Sequence, residues 1–229
     1  MWQLNMNAEV QLLELQGSKI WLIDNVLEKP DHLARYLFSR RTAQVTGQPW
    51  SQNGNTYFKG RHFDFNDKAA PVVWLAQKLC EQTIDFVGGF KTNVEAWKDN
   101  NDYKTNYWFP HIDNGYNCII YLNNNDDTQN GTNLYDPSVK DEEWFQKLMA
   151  EVPEGTSPWQ PKEKFKLIKH IEPKYNRMVL FDGNKFPHGS AVNNKQYFME
   201  LDTAPRSMRS NVNFFYHPHG KEKISRGDS

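Results

Sequence analysis

The stretch Tyr107-Trp108-Phe109-Pro110-His111-Ile112-Asp113-Asn114 sets an imidazole and a carboxylate two residues apart. On an extended chain, residues i and i+2 point to the same face with their Cα atoms roughly 6–7 Å apart. His111 and Asp113 can therefore reach one metal ion from one side. A third donor lies far downstream in Phe186-Pro187-His188-Gly189-Ser190, 77 positions after His111. A fold that uses all three must bring two distant segments side by side, and Gly189 leaves room there for a close backbone approach.

The rest of the chain reads as elements able to do this. Lys19 to Leu27 is β-rich and reads as a strand. Pro30-Asp31 opens a helix with Leu33, Tyr36 and Leu37 at helical spacing. Residues 47–58 are polar, with Gly47, Pro49 and Gly54, and read as a loop. Ala69-Ala70-Pro71 starts a second helix running to about Phe86, with Val73, Leu75, Leu79 and Ile84 as its expected buried positions and Gly88-Gly89 ending it. Strands are expected over Val94–Trp97, Tyr103–Phe109, Asn117–Leu122 and Thr132–Tyr135, with a turn at Asn123–Asp127. A third helix is expected over Asp141–Glu151, with Trp144, Phe145 and Leu148 on one side, followed by a loop carrying Pro153, Gly155, Pro158 and Pro161. Phe165–Ile171, Met178–Phe181, Gly189–Val192, Tyr197–Leu201 and Asn211–Tyr216 complete the strands. Many short strands separated by turn residues predict a sandwich or barrel, covered by the helices. No internal repeat or low-complexity tract interrupts it.

Composition narrows the function classes. With 38% hydrophobic and 14% aromatic residues the chain can build a core, and a net charge of −1 gives no general electrostatic reason to bind nucleic acid or an acidic membrane. Cys80 and Cys118 do not make a disulfide scaffold and fit a reducing compartment. No basic-then-apolar leader follows Met1, and no run approaches the ~18 apolar residues of a bilayer span. The expectation is a soluble, cytoplasmic protein.

Two histidines and one carboxylate on one face, with other coordination positions open, is the ligand set of non-haem Fe(II) oxygenases. A hydrolytic zinc site competes for the same donors. Arg209, in Arg209-Ser210-Asn211-Val212-Asn213-Phe214-Phe215-Tyr216, places a guanidinium at the start of a late strand, where it can bind a carboxylate through two parallel hydrogen bonds. Arg206 is its rival. Trp97, Tyr107, Trp108, Tyr116 and Tyr135 either line a pocket or pack the core. Gln48 to Tyr57, with Trp50, is either a lid or a surface loop. Asn114, Asn117 and Asn133 are candidates to orient the ligands. His62 is a candidate to enter the pocket, and His170, His217 and His219 are further imidazoles, the last two in a charged tail.

Tyr121-Leu122-Asn123, Asn130-Gly131-Thr132-Asn133-Leu134-Tyr135 and Met178-Val179-Leu180-Phe181-Asp182 complete a pattern. Over residues 92–217 the chain resembles the Fe(II)/2-oxoglutarate-dependent oxygenases, in their prolyl 4-hydroxylase-like branch. The resemblance implies a mainly β fold with flanking α-helices and a double-stranded β-helix (jelly roll, cupin-like) core. It implies one domain over 1–229: an N-terminal strand and supporting helices in 1–91, the core in 92–217, and a mobile tail in 218–229. Fe(II) would sit on His111, Asp113 and His188, which are then the catalytic residues. The far carboxylate of the co-substrate 2-oxoglutarate would sit on Arg209 and Tyr121. Dioxygen would be the oxidant, with ascorbate as an optional reductant. The reaction implied is hydroxylation of an unactivated C–H bond, of a prolyl residue in a peptide or protein or of an amino-acid-like small molecule. The carboxylate of Asp113 favours hydroxylation, because halogenating relatives lack it. Two positions depart from the pattern. His188 and Arg209 are 21 apart, roughly twice the usual spacing, which a hairpin over Asn193–Met208 would absorb. Asn130-Gly131 also stands where relatives carry a glycine pair. A cupin-like zinc hydrolase and a non-catalytic β-sandwich binding module remain as alternatives.

Overall fold

A computed structural model describes residues 2–39, 43–46, 59–64, 71–81, 89–92, 103–123, 128–150, 159–193 and 209–216; of these, 37–39, 43–46, 59–64 and 89–92 are described at the backbone only. The chain opens with a hairpin, β1 (Glu9–Leu15) and β2 (Ser18–Asp24), paired from Glu9↔Asp24 to Leu15↔Ser18. Its two-residue turn puts Gln16 and Gly17 at φ +48° and +71°, the left-handed pair that matches the twist of the flanking strands. In α1 (Pro30–Ser39) Pro30 occupies the first turn, where its missing N–H costs nothing, and Asp31 complements the helix dipole. Then follow β3 (Ala43–Thr46), β4 (Lys59–Asp64), α2 (Pro71–Cys80), β5 (Gly89–Thr92), β6 (Asn106–Trp108), β7 (Tyr116–Tyr121) and β8 (Thr132–Tyr135). A 3-10 turn (Pro137–Asp141) leads into α3 (Glu143–Ala150). After it come β9 (Trp159–Pro161), a second 3-10 turn (Lys162–Lys164), β10 (Leu167–Ile171), β11 (Met178–Asp182), β12 (His188–Ser190) and β13 (Ser210–Tyr216).

The fold is mainly β. Among the described residues, eight strands form one sheet in the order β1-β2-β11-β7-β13-β5-β4-β3, three form a second, β10-β8-β12, and β6 pairs with β9. The central strand β7 shows how the layers stack. Its odd and even positions face opposite sides, as a two-residue period requires. Cys118 and Ile120 join Trp21, Ile23, Leu180, Val212, Phe214 and Tyr216 under Leu33 of α1 and Val72, Val73, Ala76 and Cys80 of α2. Ile119 and Tyr121 join Ile20, Leu22, Val179 and Phe181 against Leu134 of β8, Ile171 of β10 and Phe186. The large sheet thus lies between helices on one face and the small sheet on the other. Fully burying a side chain such as Phe181, Phe186 or Leu134 contributes about 1.5–3 kcal/mol each. The outer face of β8 is closed by Tyr135, Val139, Phe145, Leu148 and Phe165.

Several expectations need correction. The helix at 71 buries Val72, Val73, Ala76 and Cys80; Leu75 and Leu79 are only partly covered. The strand expected from Tyr103 is limited to Asn106–Trp108, after a turn at 103–105. β1 was not expected, and β9 falls where three prolines and a glycine read as loop. The expected Val94–Trp97 and Tyr197–Leu201 strands, the 47–58 loop and the tail lie outside the described residues. No described helix is long and apolar enough to cross a membrane.

Candidate metal centre

His111 and Asp113 do not sit on a continuous strand. β6 stops at Trp108 because Phe109 takes a left-handed φ of +41°, and Pro110 has no N–H to give a ladder. The chain is then recaptured one residue later. His111 and His188 form an isolated antiparallel bridge, in which His111 N–H donates to His188 O (2.9 Å) and His188 N–H to His111 O (2.8 Å). Gly189 makes this approach possible: a Cβ there would lie 2.5 Å from the Trp108 carbonyl oxygen. The Asp113 N–H donates to Gly183 O (3.0 Å), and the Gly183 N–H donates to Gly115 O (2.8 Å), so the loop after the bridge is tied down as well. Asp182 Oδ1 accepts from the N–H groups of Asn184 (2.9 Å) and Lys185 (3.1 Å), which shapes the turn that delivers His188.

The three side chains converge. One donor atom from each of His111, Asp113 and His188 lies within 4.8 Å of the other two. Asp113 Oδ2 is 3.2 Å from His188 Nε2 and 3.7 Å from His111 Nε2. Donors bound to one ion at 2.0–2.2 Å stand about 3.0–3.5 Å apart, so the Asp113–His188 spacing already matches and the Asp113–His111 spacing is slightly wide. The ring tautomers fit too. His111 Nδ1 donates to Phe109 O (2.7 Å) and His188 Nδ1 to Phe186 O (2.9 Å), which turns both Nε2 lone pairs toward Asp113. Phe109 stacks on the His111 ring at 4.5 Å and 16°, and Phe181 meets the His188 ring edge-on at 4.9 Å. Burial pushes the Asp113 carboxyl up, but the neighbouring imidazoles and the hydrogen bond from Asn117 outweigh it, and the group is held well below the usual carboxylate range. A half-buried carboxylate between two correctly turned imidazoles is a donor set that could hold a metal ion.

Arg209 and Tyr121 come together at the other end of the same sheet face. The Arg209 guanidinium, 3% exposed, donates from Nε to Asn130 O (2.8 Å), from Nη2 to Gly131 O (3.1 Å) and from Nη1 to Asn211 Oδ1 (2.8 Å). It lies 5.8 Å from the Tyr121 ring, and the Tyr121 hydroxyl pairs with Thr132 Oγ1 at 2.6 Å. Burial raises the Tyr121 phenol above its usual range, against the opposing pull of the Arg209 charge and the Thr132 bond. Gly131 must be glycine here, since a Cβ would strike the Ile171 carbonyl at 1.9 Å.

Other expected positions fall elsewhere. Tyr116 packs against Trp21 on the helix-covered face. Tyr135 and Trp108 are core, against Tyr107, Phe165 and Trp159. Asn133 serves His170, whose Nδ1 lies 2.9 Å from Asn133 Oδ1, and not the three ligands. His62 is on β4, described only at its backbone; Arg206, Trp50, Trp97, His217 and His219 lie outside the described residues. Thr132 and Gly183 were not singled out in the sequence. The Asp182-Gly183 pair was a turn signal; Thr132 had none beyond its place after Gly131. Compared with known proteins, the chain matches no family model and no curated protein.

Proposed function

We propose that the protein is an Fe(II)- and 2-oxoglutarate-dependent hydroxylase, its two facing sheets forming a double-stranded β-helix. The observation that carries this reading is one face of the large sheet with a metal-type triad at one end and a buried guanidinium beside two hydroxyls at the other. Asn117 and Tyr121 mark the two ends on β7, four residues apart on the same side, or about 13 Å. That span would be bridged by a five-carbon dicarboxylate held by the iron at one end and by Arg209 at the other.

His111, Asp113 and His188 would hold iron from one side and leave its remaining positions to co-substrates. Arg209, with the Tyr121 and Thr132 hydroxyls, would take the far carboxylate. Burial strengthens that ion pair, because little water is left to screen it. Bound together, iron, 2-oxoglutarate and O2 supply an oxidant for an unactivated C–H bond: one oxygen atom enters the substrate as hydroxyl and the other enters succinate, with release of CO2. Phe109 and Phe181 keep water from the faces and edges of the ligand rings. The substrates to try first are prolyl peptides and free amino acids, scored by succinate release. The direct test is anaerobic addition of Fe(II) and 2-oxoglutarate. A weak visible metal-to-ligand absorption band is expected, and it should vanish in His111→Ala. No band with the intact protein would overturn the reading.

A further inference from the structure

We infer that Asn117 is the positioning residue of the metal centre: its carboxamide holds the Asp113 oxygen that faces the metal and keeps the site assembled when no metal is there. The inference rests on the metal-binding part of the proposed function and not on its co-substrate or reaction.

Asn117 points from β7 into the triad and is 3% exposed. Its Nδ2 lies 2.7 Å from Asp113 Oδ2 and 2.7 Å from His188 Nε2. One amide nitrogen therefore donates one hydrogen to the carboxylate and the other to the imidazole lone pair. These are the two atoms a cation must take. Since His188 Nδ1 is bonded to Phe186 O, Nε2 is an acceptor, and the N–H of Asn117 stands in for the missing positive charge. A carboxylate oxygen has a second lone pair, so the Asp113 bond can persist beside a metal. The His188 bond must be given up to it.

The other end of the same amide shows what orients it. Asn117 Oδ1 is buried and has no hydrogen-bond partner. An unsatisfied buried acceptor lowers stability and is rare without a reason. Here the reason is that both donors are aimed at the ligands. The backbone makes room for this arrangement: a Cβ on Gly183 would lie 2.8 Å from Asn117 Nδ2. With Oδ2 pinned by Asn117, Asp113 offers a single oxygen in a fixed direction, which leaves more of the metal open than a two-oxygen grip would.

The test is titration of chelator-treated protein with Mn(II), followed by calorimetry and by the electron paramagnetic resonance of free Mn(II), with thermal unfolding of each metal-free variant alongside. Asn117→Leu keeps the volume and removes both the donors and the orphaned acceptor. It should weaken Mn(II) binding by about 10- to 100-fold while leaving the melting temperature of the metal-free protein near that of the parent. Asn117→Ala, which removes the same groups without filling the space, should weaken Mn(II) binding to a similar degree. Unchanged or tighter binding in folded Asn117→Leu and Asn117→Ala would overturn the inference and leave the metal centre standing. So would a loss of stability with intact affinity. Parent protein that binds no Mn(II) would overturn both.

Discussion

The two ends of this face of β7 are built in opposite ways. At the triad the ring nitrogens that point away from the centre, Nδ1 of His111 and of His188, are bound to backbone carbonyls, while the side chains of His111 and Asp113 keep 21% and 18% of their surface exposed. The backbone orients the rings and turns their Nε2 atoms toward Asp113. At Arg209 the charged group itself is held by the backbone, through the carbonyls of Asn130 and Gly131, and only 3% is exposed. The first end presents three donors that could take up a metal ion. The second holds one charge in place through the carbonyls of Asn130 and Gly131 and the amide oxygen of Asn211.

If that contrast is right, the two ends should fail separately. Arg209→Met should leave Mn(II) affinity intact but weaken 2-oxoglutarate binding by about 30-fold or more, since removing one partner of a buried charge pair costs at least about 2 kcal/mol. The same variant strands two buried carbonyls, so a stability loss of about 1–3 kcal/mol should appear in denaturant unfolding. Unaltered co-substrate affinity would mean that Arg209 only braces the 130–131 turn, and the zinc hydrolase reading would gain. Gly189→Ala acts on the opposite end. Its Cβ collides with the Trp108 carbonyl, so the bridge that carries both imidazoles must shift. A destabilisation of about 1–3 kcal/mol is expected, with Mn(II) affinity reduced and the Arg209 end unaffected.

The smallest effect belongs to an ion pair outside both ends. Arg177 grips Asp24 with Nε (2.6 Å) and Nη2 (3.0 Å), and Lys174 adds a third contact at 2.7 Å, tying the end of β2 to the approach to β11. Burial alone would raise the Asp24 carboxyl, but the bonds and charges of Arg177 and Lys174 hold it below its usual value. A depressed carboxyl stabilises the fold above its unfolded pKa and loses that contribution as pH falls through the folded value. Asp24→Asn should therefore cost no more than about 1 kcal/mol at pH 7, and the gap between variant and parent should close on acidification below about pH 4. Metal and co-substrate binding should not change.

How much of this could be read from the chain follows the range of the forces involved. Local signals were dependable where one period dominated: Thr132–Tyr135 is a strand to the residue, and β7 lies within one residue of its expected span. Gly189 was expected to admit a close backbone and does. α2 was misjudged because Val72, Val73, Leu75, Ala76, Leu79 and Cys80 make it apolar nearly all round, so only the sheet beneath it decides which stripe is buried. β9 was missed because a three-residue pair carrying a proline has no period of its own. The ligand residues were visible as types and spacing. The reason they meet was not, since an isolated bridge between His111 and His188 and a left-handed Phe109 leave no local trace.

That bridge has one more consequence. A cation seated on both imidazoles would join positions 77 residues apart, as a covalent cross-link does, but reversibly. Ions that bind only the folded chain raise its stability by about 2.7 kcal/mol at a hundred times their dissociation constant. Metal supply would then govern how long the folded molecule survives proteolysis, quite apart from whether it turns over substrate.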